Sequence, residues 1–149
     1  MIEFQLSVDS RIFQAILPKI EEYFASSSRM NWEDIFTCPN NKDIDFAEAW
    51  VDSLKEDCSE DRRTLARVFT SPKFKYGQVE IADDEVDGAI RGISEIRLAI
   101  RMNALSKVED QELETGDFDL DQSGSSIKLA YFAYLVLAEM QEKLIENSF

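Results

Sequence analysis

Arg97 is the side chain whose position most strongly suggests chemistry. The segment from about Asp84 to Leu105 has its apolar residues at helical spacing and is predicted to form a helix. Its apolar stripe consists of Val86, Ile90, Ile93, Ile100 and Ala104. Arg97 falls in the middle of this stripe, and Arg101 follows one turn later. Because an unpaired buried charge is very costly, the Arg97 guanidinium must meet an anion or reach a cavity.

Two arrangements satisfy that requirement. One is a buried ion pair that fixes helix register, with Glu139 on the last helix as the first candidate partner and Glu21 or Glu22 as the second. The other is a pocket centred on Arg97 and Arg101 that binds a small anion or the carboxylate of a partner. Arginine suits this second task because its guanidinium can form two parallel hydrogen bonds with a carboxylate.

An acidic loop is predicted from Val108 to Ser126, and its spacing raises the question of a calcium site. Three aspartates have the D-x-D-x-D spacing of the first calcium ligands: Asp117, Asp119 and Asp121. The rest of the pattern fails, because Gln122 stands where glycine is needed and Lys128 stands where a bidentate glutamate is needed. We therefore expect a solvated acidic loop rather than a metal site.

No motif in the chain indicates catalysis. There is no histidine, so the usual general base at neutral pH and the commonest metal ligand are both missing. Cys38 and Cys58 are isolated, which favours buried reduced thiols over a zinc site or a disulfide. Nucleotide-binding and nucleophile-elbow motifs are also lacking. We expect a protein that is not an enzyme and needs no cofactor.

Residues 62–79 form the only basic stretch, with five cations and no acid. The cations are Arg62, Arg63, Arg67, Lys73 and Lys75. The favoured interpretation is that they pair with the acidic loop of the same molecule, since exposed opposite charges commonly lie together. The alternative is a docking site for an acidic partner or for nucleic acid.

The whole chain has a formal charge of −14, from 30 acids and 16 bases. Because this negative charge repels phosphate backbones and anionic membranes, we do not expect direct binding to nucleic acid or to membranes. A sharper interpretation is a nucleic-acid mimic with a basic partner. The longest apolar run, Leu129–Ala138, is shorter than the roughly twenty residues of a membrane span. With no signal-peptide pattern at the start, we expect a soluble cytoplasmic protein.

The periodicities predict a mainly α protein: a single domain over residues 1–149, built as a bundle of four to five helices with a minor two-stranded β element. Alternation at 2–6 and 79–81 predicts two short strands that pair in a small sheet. Helices are predicted at about 10–24, 43–54, 59–69, 84–105 and 125–146. Gly88 and Gly92 lie opposite the apolar stripe of the 84–105 helix, which indicates a second, closely packed face.

The last helix is apolar on nearly every side between Leu129 and Ala138. A helix of that kind is buried all round, either inside its own domain or against another chain. We expect a homodimer in which this helix supplies the contact surface. The expected interface residues are Tyr131, Phe132, Tyr134 and Leu135.

The segment Ile93–Arg101 resembles the centre of an uncharacterised bacterial family, best known from actinobacteria, whose genes often lie beside that of a Clp protease adaptor. The likeness extends to the helix from Ile12 to Phe24 and to an aromatic C-terminal helix with a Gln-Glu pair. In that last helix the matching residues are Tyr131, Tyr134, Leu135, Gln141, Glu142 and Leu144. Some members are described as transcriptional regulators. The resemblance implies no specific activity, and we expect a non-enzymatic interaction or regulatory protein.

Overall fold

The fold was taken from a computed structural model, which describes residues 1–27, 42–109 and 125–148. In these residues the chain forms four α-helices, two short 3-10 helices and two strands. In chain order the elements are β1 (Ile2–Gln5), α1 (Ser10–Ser27), α2 (Ile44–Thr70), a 3-10 helix (Phe74–Tyr76), β2 (Gln78–Ile81), a second 3-10 helix (Asp83–Glu85), α3 (Val86–Met102) and α4 (Ser125–Ser148). The predicted mainly α fold with a two-stranded element is confirmed.

β1 and β2 pair in the antiparallel direction, as their alternating patterns suggested. Ile2 lies opposite Ile81, and Phe4 lies opposite Val79. Val79 and Ile81 are buried while the residues between and before them are not, which is the period-two pattern of a strand with one covered face. Gly77, with a φ of 82°, ends the preceding 3-10 helix and directs the chain into β2.

α2 is one continuous helix of 27 residues, so the prediction of two separate helices at 43–54 and 59–69 is wrong. The residues between those two ranges contain neither glycine nor proline, and nothing in them stops a helix once it has begun. The start was predicted correctly: the carboxylate of Asp43 accepts a hydrogen bond from the backbone N–H of Phe46, 3.1 Å away.

α3 is the central helix, because it packs against α1, α2 and α4. Its small-residue face lies against α2, as the two glycines indicated. A Cβ atom at Gly92 would lie 2.6 Å from Cδ1 of Leu65 and 3.5 Å from the backbone oxygen of Asp61. A Cβ atom at Gly88 would lie 2.8 Å from Oδ1 of Asp61. The two glycines therefore let α2 and α3 approach more closely than any side chain would allow.

The core lies between these helices and the covered face of the sheet. An aromatic row forms its α1–α2 side. Phe74 packs edge-on against Phe13, with ring centroids 5.5 Å apart, and Phe69 lies 5.2 Å from Phe74 on its other side. Phe24 extends the row, 5.3 Å from Phe69. Within the described ranges, no helix is both long enough and apolar enough to span a bilayer.

Candidate functional site

Arg97 lies where α3 faces α4, and it is partly buried, as its place in the apolar stripe predicted. Its Nη1 donates a hydrogen bond to Oε1 of Gln141 on α4, at 2.6 Å. The centre of the guanidinium lies 4.4 Å from the centroid of the Tyr134 ring, in a cation–π contact. An amide oxygen and an aromatic ring, both from α4, thus hold the cation in place.

Glu139 is not the partner of Arg97, so that prediction is wrong. Glu139 instead accepts hydrogen bonds from the backbone N–H and the hydroxyl of Ser7, in the loop that follows β1. The reason is helical geometry: residues 139 and 141 differ in direction by about 200°, so only one of them can face α3. The second candidates also lie elsewhere, since Glu22 pairs with Lys19 at 3.3 Å and Glu21 is exposed.

Gln141 is the site residue that sequence reasoning missed. Its side chain is 7% exposed, and Nε2 donates to the backbone oxygen of Ile90 at 2.9 Å and to Oγ of Ser94 at 2.6 Å. Because both bonds use Nε2, the amide oxygen is left pointing at Arg97. Its spacing in the sequence could have indicated this burial. Gln141 lies four residues after Leu137 and three before Leu144, so it falls on the apolar face of α4.

The guanidinium of Arg97 keeps unused donors. Its Nε is buried and has no hydrogen-bond partner, and no carboxylate of the described residues lies within ion-pair distance. Gln141 is neutral and Tyr134 offers only the face of its ring, so neither cancels the charge. A partly buried arginine in this state can still bind an anion through its Nη groups, because among the described residues only Gln141 accepts from them.

Arg101 is one turn further along α3, but it does not join Arg97 in a common set of contacts. Its Nη1 donates to the backbone oxygen of Leu105, just beyond the end of α3, and it makes further contacts besides. A cation at this point satisfies a carbonyl near the C-terminus of the helix and favours the helix dipole. Of the two arginines proposed as a pocket, Arg97 is therefore the one with spare donors.

The four predicted interface residues of α4 differ in accessibility. Tyr131 is 9% exposed and belongs to the core of its own chain, so the expectation that it forms an outer surface is wrong. Phe132 and Tyr134 are partly buried and pack against the same core. Only Leu135 is open to solvent, with 42% of its surface exposed. The bundle covers more of this helix than its composition suggested.

Two of the five cations of the basic stretch form ion pairs, and their partners are acids near them in the fold. Nη2 of Arg67 lies 2.5 Å from Glu85, and Nζ of Lys73 lies 2.6 Å from Glu80. The hydrogen bond to Glu80 raises the pKa of Lys73 above its ordinary value. Arg62 donates to Oγ of Ser27 and lies over the ring of Phe24. The acidic loop that was expected to supply these partners falls largely outside the described residues.

The candidate calcium ligands Asp117, Asp119 and Asp121 also lie outside the described residues. In the part of the chain that the structure describes, no group of three or more acids or cysteines is placed to hold a metal ion.

Comparisons with known proteins return no match to a family model, a curated protein or a solved structure. The resemblance to the actinobacterial family therefore stays a prediction. The case for function rests on the geometry around Arg97.

Proposed function

We propose that this chain is a non-enzymatic binding protein that recognises the carboxylate of a partner at Arg97. The observation that carries the proposal is the state of the guanidinium: it is oriented by Gln141 and Tyr134, and no acid of the described residues neutralises it. In a chain with a charge of −14, a partly buried arginine that meets no carboxylate among the described residues is unusual. A ligand that supplies the carboxylate satisfies donors that the described part of the chain leaves open.

The setting suits a carboxylate on a protein better than a free ion. Arg97 is partly buried on α3, and Leu135, the residue that follows its contact Tyr134 on α4, is exposed. A peptide segment that carries an acid beside an apolar side chain can use both features. A free carboxylate such as acetate can use only the guanidinium.

We expect Arg97→Gln to abolish carboxylate binding, with a loss of affinity of about tenfold or more, because a hydrogen bond to a charged group is removed. The measurement is an NMR titration that follows the Arg97 Nε–H signal with acetate and, separately, with a short capped glutamate peptide. Arg11→Gln is the matched control, since Arg11 is an exposed arginine of α1 whose side chain makes no contact with the site. Equal losses in both variants would contradict the proposal.

Gln141→Glu provides a second variant that keeps the length of the side chain but removes the hydrogen bond that Nε2 donates to the backbone oxygen of Ile90. The new carboxylate would sit where Oε1 of Gln141 now accepts from Arg97, so it should occupy the guanidinium permanently. We expect the same loss of ligand affinity with the fold retained. If acetate binds as well as the glutamate peptide, the ligand is a small anion. Capture from native extract with wild-type protein, Arg97→Gln and Arg11→Gln then identifies a partner by its selective loss from Arg97→Gln.

Self-association through α4 is a second candidate, and it is favoured by two exposed apolar side chains on that helix. Leu135 is 42% exposed and Ile145 is 47% exposed. Tyr134 is not the residue to change, because it supports Arg97. Leu135→Glu should convert a dimer to a monomer in sedimentation analysis, since a charge at a buried contact is costly. Ile12→Glu, on the exposed side of α1, is the control. An unchanged mass for Leu135→Glu would remove α4 as the dimer surface.

A further inference from the structure

A polar groove of about 470 Å³ runs between α2 and the start of α3, and neither Arg97 nor any residue of α4 lines it. We refer to it as the α2–α3 groove. It exists because Gly88 has no side chain and Asp61 fills part of the space beside it. Asp61, whose side chain is 4% exposed, forms two hydrogen bonds with Arg91, at 3.0 and 3.1 Å. That bidentate pair forms one fixed wall of the groove.

The charges that remain around the groove are mostly negative. Arg91 is engaged with Asp61, and Arg67 is engaged with Glu85. Four other charged residues line the groove and make no ion pair or hydrogen bond through their side chains with any part of the described chain: Glu60, Arg63, Asp84 and Asp87. Three acids against one base leave an excess of negative charge, which favours a cationic ligand.

Thr64 provides an independent indication that a ligand belongs here. It lines the groove and is 7% exposed, yet its hydroxyl makes no hydrogen bond to any described residue. A threonine in a helix normally bonds to a carbonyl one turn back, as Thr70 does to the backbone oxygen of Ala66 at 2.7 Å. Thr64 is thus a nearly buried residue whose hydroxyl is still accessible and makes no bond within the described chain, so this oxygen can accept from an ammonium or guanidinium group.

We propose that the α2–α3 groove binds a lysine or arginine side chain of a partner protein. The ammonium or guanidinium group donates to the hydroxyl of Thr64 and to the carboxylates of Asp84 and Asp87. The rim acids are exposed, with Glu60 on α2, Asp84 in the second 3-10 helix and Asp87 on α3, so a side chain that projects from another protein can reach them. This site does not depend on Arg97, and either can fail without the other.

The test is an NMR titration of the full chain with the peptide acetyl-Gly-Arg-Gly-amide, followed through the backbone amide signals of Thr64 and Gly88. The groove variant carries Glu60→Gln, Asp84→Asn and Asp87→Asn. The matched variant carries Glu21→Gln, Glu48→Gln and Glu146→Gln, which are exposed acids away from the groove with the same change in net charge. We expect the groove variant to lose about tenfold or more in affinity and the matched variant less than about threefold.

A conservative variant tests the hydroxyl separately. Thr64→Val should weaken peptide binding several-fold while the helix content stays unchanged, whereas Thr70→Val, whose hydroxyl is already bonded, should leave binding as it is. Equal losses in the two acidic variants would mean non-specific attraction to a negative surface and would overturn the proposal. Spermidine binding as tightly as the peptide would also overturn it, since the occupant would then be a small polycation.

Discussion

Phe74→Ala is expected to lower the free energy of unfolding by about 3–5 kcal/mol, the range for removal of a buried aromatic ring. Phe74 is 2% exposed and lies between Phe13 and Phe69, so the substitution leaves a cavity and also removes two ring contacts. Each such contact contributes about 0.5–1.5 kcal/mol beyond the area that it buries. The measurement is urea unfolding followed by circular dichroism. An unchanged slope of the unfolding free energy against urea concentration would show that the transition is still two-state.

Tyr76→Ala is the control for that experiment, because Tyr76 belongs to the same 3-10 helix but is 71% exposed. Its loss should be within about 0.5 kcal/mol. Should Phe74→Ala fail to fold, Phe74→Leu retains most of the apolar volume and should still lose about 1–2 kcal/mol. A loss for Phe74→Ala no larger than that for Tyr76→Ala would show that the aromatic row does not stabilise the fold.

Arg91→Leu is expected to cost about 2–3 kcal/mol of stability, because it leaves the buried carboxylate of Asp61 without its two hydrogen bonds. The full penalty for breaking a buried pair is larger, but the side chain of Arg91 is 59% exposed, so water can partly replace it. Thermal or urea unfolding at neutral pH measures the loss. The change should also enlarge the α2–α3 groove on the side that Arg91 now closes.

A double-mutant cycle separates the pair from its surroundings. Asp61→Leu, Arg91→Leu and the double variant together give the coupling energy, which should be about 1–3 kcal/mol for a bidentate contact with one buried partner. Asp61→Leu alone should lower the stability less than Arg91→Leu does, because the unpaired guanidinium of Arg91 can still be solvated by water. Purely additive effects would mean that the contact contributes nothing beyond the packing of each side chain.

Most of the element types could be predicted from periodicity alone, because each helix keeps an apolar stripe and each strand alternates. The error over α2 has a simple cause. Its middle residues are polar and gave no stripe, and a gap in a stripe does not end a helix unless glycine, proline or a competing cap is present. A close contact of α3 with another element could be predicted, since Gly88 and Gly92 destabilise a helix interior unless close packing compensates for them.

The partial burial of Arg97 on α3 was predicted from the sequence, but its contacts with Gln141 and Tyr134 were not. The position of Arg97 followed from its own helix, but its partner depended on which side of α4 faces α3, and local sequence does not give that orientation. A search for an acid also excluded Gln141 from the start, because a charge leads one to look for the opposite charge. Tyr131 was assigned to an outer surface because its burial depends on how the helices pack around α4, and composition does not specify that packing.

The two-stranded sheet ties together parts of the chain that are remote in sequence. Beyond its backbone ladder, the side-chain amide of Gln5 donates to the backbone oxygen of Tyr76, 71 positions later, at 2.7 Å. Closing so long a loop costs conformational entropy before any contact compensates for it, whereas helices form between neighbours. β1 should therefore join last during folding, after α1 and α2 have brought β2 into place. Until that moment the edge of β2 that pairs with β1 has unpaired backbone groups, and the folding chain is at its most prone to pair with the strand of another molecule.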